Sequence, residues 1–234
     1  MIKGSRMMMK GGGGGWQNPY VTDGLVAMWD GEWNAGPGVH DPNATTWKDL
    51  SGNGFDLTVD QGSVVWHENY IDPVDANAAN HVYRENAQSE MAALGVAPVT
   101  VEAVFYNPYM NGFRVLSCLT YQNRYNAFIG YYNTFGFGGA LRDVPKGALL
   151  SCSASLTSTL VNGNDAGAVV FTNNVSGVGR SFNDISMFGI RYINGDAQYP
   201  ISCSLYTLRV YASDLSTSDR IANYAIDKAR FNLP

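Results

Sequence analysis

Four Asn-Gly dipeptides punctuate this chain: Asn53-Gly54, Asn111-Gly112, Asn162-Gly163 and Asn194-Gly195. Both residues tolerate the positive φ of a two-residue hairpin turn, so each pair marks a place where an extended segment folds back on itself. The segments between them agree. Gly24–Asp30, Phe55–Val59, Ser63–Trp66, His81–Arg84, Phe113–Tyr121, Tyr125–Tyr132, Thr134–Leu141, Ala148–Leu156, Gly167–Asn173 and Ile185–Ile193 are short, apolar or alternating. In Pro98–Asn107, Val101, Ala103 and Phe105 face one way, and Thr100, Glu102, Val104 and Tyr106 the other. In Ile201–Tyr211 the same period places Tyr206, Leu208 and Val210 together. Period-two alternation at this spacing predicts an all-β fold, a two-sheet antiparallel sandwich.

One helix is expected, after the last strand. Ser216 is a good N-cap and Asp219, three residues on, approximates a capping box. Ile221, Tyr224, Ala225 and Lys228 then share a face that Ala229 and Phe231 help close, as in a packing helix.

The ends and the charge set the remaining bounds. Residues 1–19 read as a flexible Gly-rich arm, with pentaglycine at Gly11–Gly15 where a signal peptide would carry its apolar core. Residues 20–234 read as one domain. A net charge of −5 argues against nucleic acid, which selects a basic stripe. No apolar run is long enough for a membrane-spanning helix. Cys118, Cys152 and Cys203 are odd in number and have no C-x-x-C spacing, so neither a disulfide framework nor a zinc site is expected. Such a chain suits synthesis in a reducing cytoplasm.

Three stretches, in order, resemble the laminin G-like jelly-roll family of the concanavalin A-like superfamily. GLVAMWD (24–30) followed by TWKDLSGNGFDLTV (46–59) is similar to its opening strand and W-x-D-x-SGNG-x-D-L segment. VTVEAVF (99–105) resembles its central strand, and LYTLRVYASDLSTSDRIANYAIDKARF (205–231) its closing strand and short helix. The resemblance implies a jelly-roll sandwich with one short C-terminal helix, of a kind frequent in gut Bacteroidetes and their phages. It does not imply a ligand, because function lives in sites grafted on folds.

Glycosidases of that superfamily use an E-x-D-x-x-E strand, since cleavage needs two carboxylates flanking the bond. No E-x-D occurs here, and Glu102 reads as a strand residue paired with an Arg or a hydroxyl. No G-x-S-x-G nucleophile elbow occurs, and pentaglycine lacks the Gly-Lys-Ser/Thr of a phosphate loop. The expectation is therefore a chain that is not an enzyme and needs no cofactor. Calcium is the one ion to weigh, with oxygens at Asp49, Asn53 and Asp56. Relatives that hold it use an acidic residue where Tyr206 stands, so a tight turn with Asp49 and Asp56 capping backbone amides is favoured.

Aromatic residues interleaved with amides carry the functional expectation. Tyr106 through Phe137 is crowded with Tyr, Phe and Asn, a mixture suited to sugar faces and to protein contacts alike. The loop and turn inside this stretch make Tyr109, Asn111, Tyr121, Asn123, Arg124 and Tyr125 the candidate ligand-binding residues. The expected role is a virion surface component of a phage, a fibre, decoration or receptor-binding protein, presenting a lectin-like domain to a glycan or host receptor. Its arm would join other virion proteins, and homo-oligomeric display would add avidity. A bacterial surface adhesion module and a purely structural assembly protein are the alternatives.

Overall fold

The computed structural model describes residues 16–60, 62–74, 82–85, 100–107, 147–155, 158–168, 185–188 and 203–234, with isolated positions at 87, 90 and 145. Strand segments between 117 and 143 and between 190 and 198 are described as backbone.

In chain order the strands begin with β1 (Leu25–Asp30), β2 (Thr46–Trp47), β3 (Leu57–Val59), β4 (Val64–Trp66), β5 (Ile71–Pro73) and β6 (Val82–Arg84). Then come β7 (Thr100–Asn107), β8 (Ser117–Tyr121), β9 (Arg124–Ala127), β10 (Ile129–Gly130), β11 (Thr134–Phe137) and β12 (Ala140–Asp143). The series closes with β13 (Ala148–Ser155), β14 (Ser158–Val161), β15 (Asn164–Ala168), β16 (Ile185–Met187), β17 (Ile190–Arg191), β18 (Ala197–Gln198) and β19 (Ser204–Tyr211), followed by a helix over Thr217–Phe231. An eight-stranded sheet runs β15-β14-β13-β7-β19-β5-β4, with β1 also paired to β19. A six-stranded sheet runs β2-β3-β6-β16-β8-β9. Pairing is antiparallel in both, as expected of the sandwich.

Alternation in β7 builds the core. Val101, Ala103 and Phe105 point inward beside Ala154, Cys152 and Leu150 of β13 and Val210, Leu208 and Leu205 of β19. Trp47, Leu57, Val59, Val82, Ile185 and Met187 of the six-stranded sheet join the same cluster. Each Val, Leu, Ile, Phe or Met among them contributes about 1.5–3 kcal/mol when fully buried. The indoles enter with their polar edge satisfied: Trp29 Nε1 donates to the Phe55 carbonyl at 2.8 Å, Trp47 Nε1 to the Asp30 carbonyl at 3.0 Å. Cys152 and Cys203 are free and buried here, and burial raises both thiols. Cys118 lies on β8.

Two expectations of face are corrected by the backbone. Leu205 pairs with Phe105 but Thr207 with Val104, so Tyr206 is an extra residue, a β-bulge. The bulge resets the period: Leu205, Leu208 and Val210 are core, while Tyr206 turns out to the opposite face. The helix starts as expected, with Ser216 Oγ accepting from the Asp219 amide at 3.2 Å. Its buried face, however, is Arg220, Asn223, Asp227 and Phe231. Ile221 is 45 % exposed, and Ala225 and Lys228 are exposed too. The helix lies on a polar sheet face, so apolar spacing points the wrong way.

The turns divide similarly. Asn162 (φ 48°) and Gly163 (φ 72°) form the expected two-residue turn, between β14 and β15. Asn53-Gly54 instead sits in the longer connection from β2 to β3, where Asn53 Nδ2 donates to the Val26 carbonyl at 2.8 Å. Asn111-Gly112 and Asn194-Gly195 lie outside the described residues. So do residues 1–15 of the arm, whereas residues 16–19 rest on the sandwich, with Trp16 edge-on to Trp33 at 5.5 Å.

Candidate functional site: an aromatic face beside the C-terminal helix

The residues singled out in the sequence fall in two places. Tyr121, Arg124 and Tyr125 lie on the β8–β9 hairpin at the edge of the six-stranded sheet, Tyr121 opposite Arg124 and Thr120 opposite Tyr125. Tyr109, Asn111 and Asn123 lie outside the described residues. The calcium candidates form a self-satisfied turn. Asp49 Oδ1 accepts from the Met28 and Ser51 amides and Oδ2 from the Phe55 amide, each at 2.9 Å. Asp56 accepts from the Asp49 amide at 2.9 Å and from Lys48 Nζ at 2.6 Å. Backbone amides engage the oxygens that a cation would need, and Gly52 (φ 90°) and Gly54 (φ 80°) supply the bends.

The outer face of the eight-stranded sheet is polar and mostly covered. Glu102, Ser151, Ser153, Thr207 and Arg209 are buried under the helix. Arg209 Nε donates to Glu102 Oε2 at 3.1 Å, and its Nη1 and Nη2 grip Asp227 at 2.9 and 2.8 Å. Asn223 Nδ2 donates to Glu102 at 2.8 Å, and Arg220 Nε to Ser153 Oγ at 2.7 Å. Arg230 binds Asp30 through both terminal nitrogens, at 2.8 and 3.0 Å, and Glu32 at 3.0 Å. Glu102 thus has the Arg partner expected of it. Burial raises its carboxyl, Arg209 opposes that shift, and Asp227 adds to it. Burial lowers Arg209, but Asp227, Tyr20 and Glu102 together hold it raised.

Where the helix ends, the outer face becomes aromatic. Tyr206, turned out by its bulge, stacks on Tyr70 with ring centres 4.9 Å apart. Tyr70 stacks in turn on His67 at 4.2 Å, and Phe231 of the helix meets Tyr206 edge-on at 5.3 Å. His67 Nε2 lies 3.3 Å from Asp72 Oδ2. Tyr106, on the same outer face and opposite Ser204, is 39 % exposed. Burial, Tyr70 and Asp72 raise the Tyr206 hydroxyl. The arrangement depends on Gly31: a Cβ there would come within 2.6 Å of the Tyr70 Cα, so only glycine lets the 67–70 turn approach. The exposed Tyr106 ring can stack on an apolar ring face, while the rim of the His67–Tyr70–Tyr206 stack and the Asp72 carboxylate can exchange hydrogen bonds with it.

Tyr106 lay in the aromatic stretch marked in the sequence but outside its six candidate residues, and His67, Tyr70 and Tyr206 were not marked as a group. They come from distant segments, and only the bulge and the Gly31 contact unite them. A shallow groove of about 470 Å³ continues on the other side of the helix, lined by Asn162, Asn164, Ile221, Tyr224 and Lys228 among others.

No family model matches the chain, and no curated protein does. Solved structures do. Trypanosoma rangeli sialidase in complex with sialic acid aligns with a TM-score of 0.55 and 16 % identity, over 88 % of this chain and 33 % of that one. A mutant of HCR/D aligns with a TM-score of 0.51 and 10 % identity, over 88 % and 53 %. Botulinum neurotoxin type C, whose cell entry depends on interaction with two ganglioside molecules, aligns at 0.47 and 10 %, over 89 % and 52 %. The chain spans about a third of the length of the sialidases it matches. These matches correct the expectation that the chain is not an enzyme. The fold recurs within sialidase chains, one of them a mutant with trans-sialidase activity, so a missing E-x-D triplet does not separate it from them. At such identities what the likeness shows is the fold, an all-β sandwich.

Proposed function

We propose that this chain is a glycan-binding module, a laminin G-like lectin domain displayed on the surface of a phage virion. The observation that carries the reading is the aromatic face of Tyr70, Tyr106 and Tyr206 with His67 and Asp72, left open beside a sheet face otherwise sealed by the helix. Tyr106 offers rigid apolar area for the C–H face of a sugar, and the rim of the His67–Tyr70–Tyr206 stack, with Asp72, addresses its hydroxyls. The complex of the fold-related sialidase with sialic acid supports a glycan as the ligand class. The laminin G-like segments and the unpaired buried Cys152 and Cys203 support a protein made in a reducing cytoplasm that reaches the outside by assembly. Oligomeric display would then multiply weak sites.

A glycan array with the wild-type chain tests the ligand. Binding to a defined subset, abolished in Tyr70→Ala/Tyr106→Ala, is expected; no bound glycan, or an unchanged profile in the variant, contradicts the reading. Mass spectrometry of purified particles tests the setting. The chain is expected among the virion proteins, and its absence there with export or lipidation in bacterial cells would exclude the virion.

A further inference from the structure

The carboxylate of Asp227 sits inside a closed ring of donors. Arg209 Nη1 donates to Oδ1 at 2.9 Å and Nη2 to Oδ2 at 2.8 Å, a two-pronged fork. The Tyr20 hydroxyl donates to Oδ1 and Ser151 Oγ to Oδ2, both at 2.8 Å. Each oxygen therefore receives two hydrogen bonds, and the carboxylate is fully buried.

Each of these donors has a tie besides Asp227, though some of the ties come from the helix itself. Arg209 belongs to β19, and its Nε is held by Glu102 of β7 at 3.1 Å. Its guanidinium lies over the Tyr20 ring at 3.9 Å, which fixes the plane of the fork. Tyr20 is tied by its amide, which donates to Asn18 Oδ1 at 3.0 Å, and by Arg230 Nη1, which donates to its hydroxyl at 2.8 Å, and Ser151 sits within β13 opposite Val104. The sandwich and the entering segment supply the donors, Arg230 and Asn223 of the helix brace Tyr20 and Glu102, and Asp227 is the ligand that the same helix delivers. The geometry points to a preformed binding site for a small carboxylate on the outer sheet face, filled in cis by Asp227. The C-terminal helix is then an intramolecular occupant, and the site takes an external carboxylate when Asp227 is withdrawn. This inference stands on the donor ring alone and is independent of the glycan reading.

Chemical rescue tests it on the full chain. Asp227→Ala removes the carboxylate and leaves the donors. Its Tm is expected to fall by about 6–20 °C, as for loss of one partner of a buried ion pair in a domain of this size. Sodium formate or acetate is expected to raise that Tm along a saturating curve, whereas sodium chloride at equal ionic strength does not. The response should vanish in Arg209→Met/Asp227→Ala. Equal effects of formate and chloride on Asp227→Ala would overturn the proposal. If Asp227→Ala is recovered only unfolded, refolding yield in formate against chloride reads the same question. Folded protein in formate alone supports the site, and equal yields in the two salts, including none in either, overturn it.

Discussion

The two faces of the eight-stranded sheet are buried by opposite means. On the inner face Val101, Ala103 and Phe105 meet Leu150, Cys152, Leu205 and Leu208, and water is excluded by shape. On the outer face of the same strands Glu102, Ser151, Ser153 and Arg209 are equally hidden, but under a helix that presents Arg220, Asn223 and Asp227. Apolar packing tolerates swaps that conserve volume. A buried polar network does not, because each lost partner strands a charge or a donor in a low-dielectric site. The helix is therefore held by complementarity of charge, with Phe231, Leu233 and Val104 adding an apolar anchor at one end.

The sharpest way to break this contrast is to remove Arg209. Arg209→Leu should cost about 3–5 kcal/mol in urea unfolding, because Glu102 and Asp227 are left without their cation. Phe105→Ala on the inner face should cost about as much through the cavity it leaves. The faces part company when charges are removed together. Glu102→Met/Arg209→Met/Asp227→Leu should be less damaging than Arg209→Leu alone, since neither buried carboxylate is left without its cation and Arg220 keeps its bonds to Ser153 and Ser158. A triple variant worse than the single one would mean that shape dominates the outer face as well.

Gly31→Ala probes the join between the covered and the open part of the outer face. The added methyl meets backbone at Tyr70 and Asn69, so the 67–70 turn must shift, at about 1–3 kcal/mol in thermal melts. Glycan binding should fall with it. Ser216→Ala removes the N-cap and should cost about 1 kcal/mol by the same measurement.

Acidity gives a smaller effect with a definite sign. Burial raises the Glu102 carboxyl above its ordinary value of 4.5, so the folded chain holds that proton more readily than the unfolded one. The contribution of this group is complete below the unfolded value and declines as pH rises through the folded one. Glu102→Gln should remove that decline. The stability of the wild type relative to the variant, by urea titration from about pH 4 to about pH 7, should fall with rising pH.

These particulars show what was legible in the sequence. The alternation in β7 and the Asn162-Gly163 turn depend on neighbours along the chain, and both were readable. Tyr206 was misplaced because one bulged residue inverts every later position on its strand, and nothing local announces it. The helix face was misread because hydrophobic spacing assumes an apolar partner. Here Ile221 faces out and Asp227 faces in, since the sheet beneath offers Arg209 and Ser151. Strands β2 and β5 were unforeseen, being two and three residues long. The aromatic face required three distant segments to meet, and only Tyr106 lay in the stretch that composition had marked.

Calorimetric titration with a glycan selected on the array tests the central claim most directly. The account predicts saturable binding by the wild type and none by Tyr70→Ala/Tyr106→Ala, with Arg220 and Asp227 undisturbed and the two proteins melting within a few degrees of each other. Full binding by that double variant, in a chain that melts like the wild type, would contradict the placement of the site on this face.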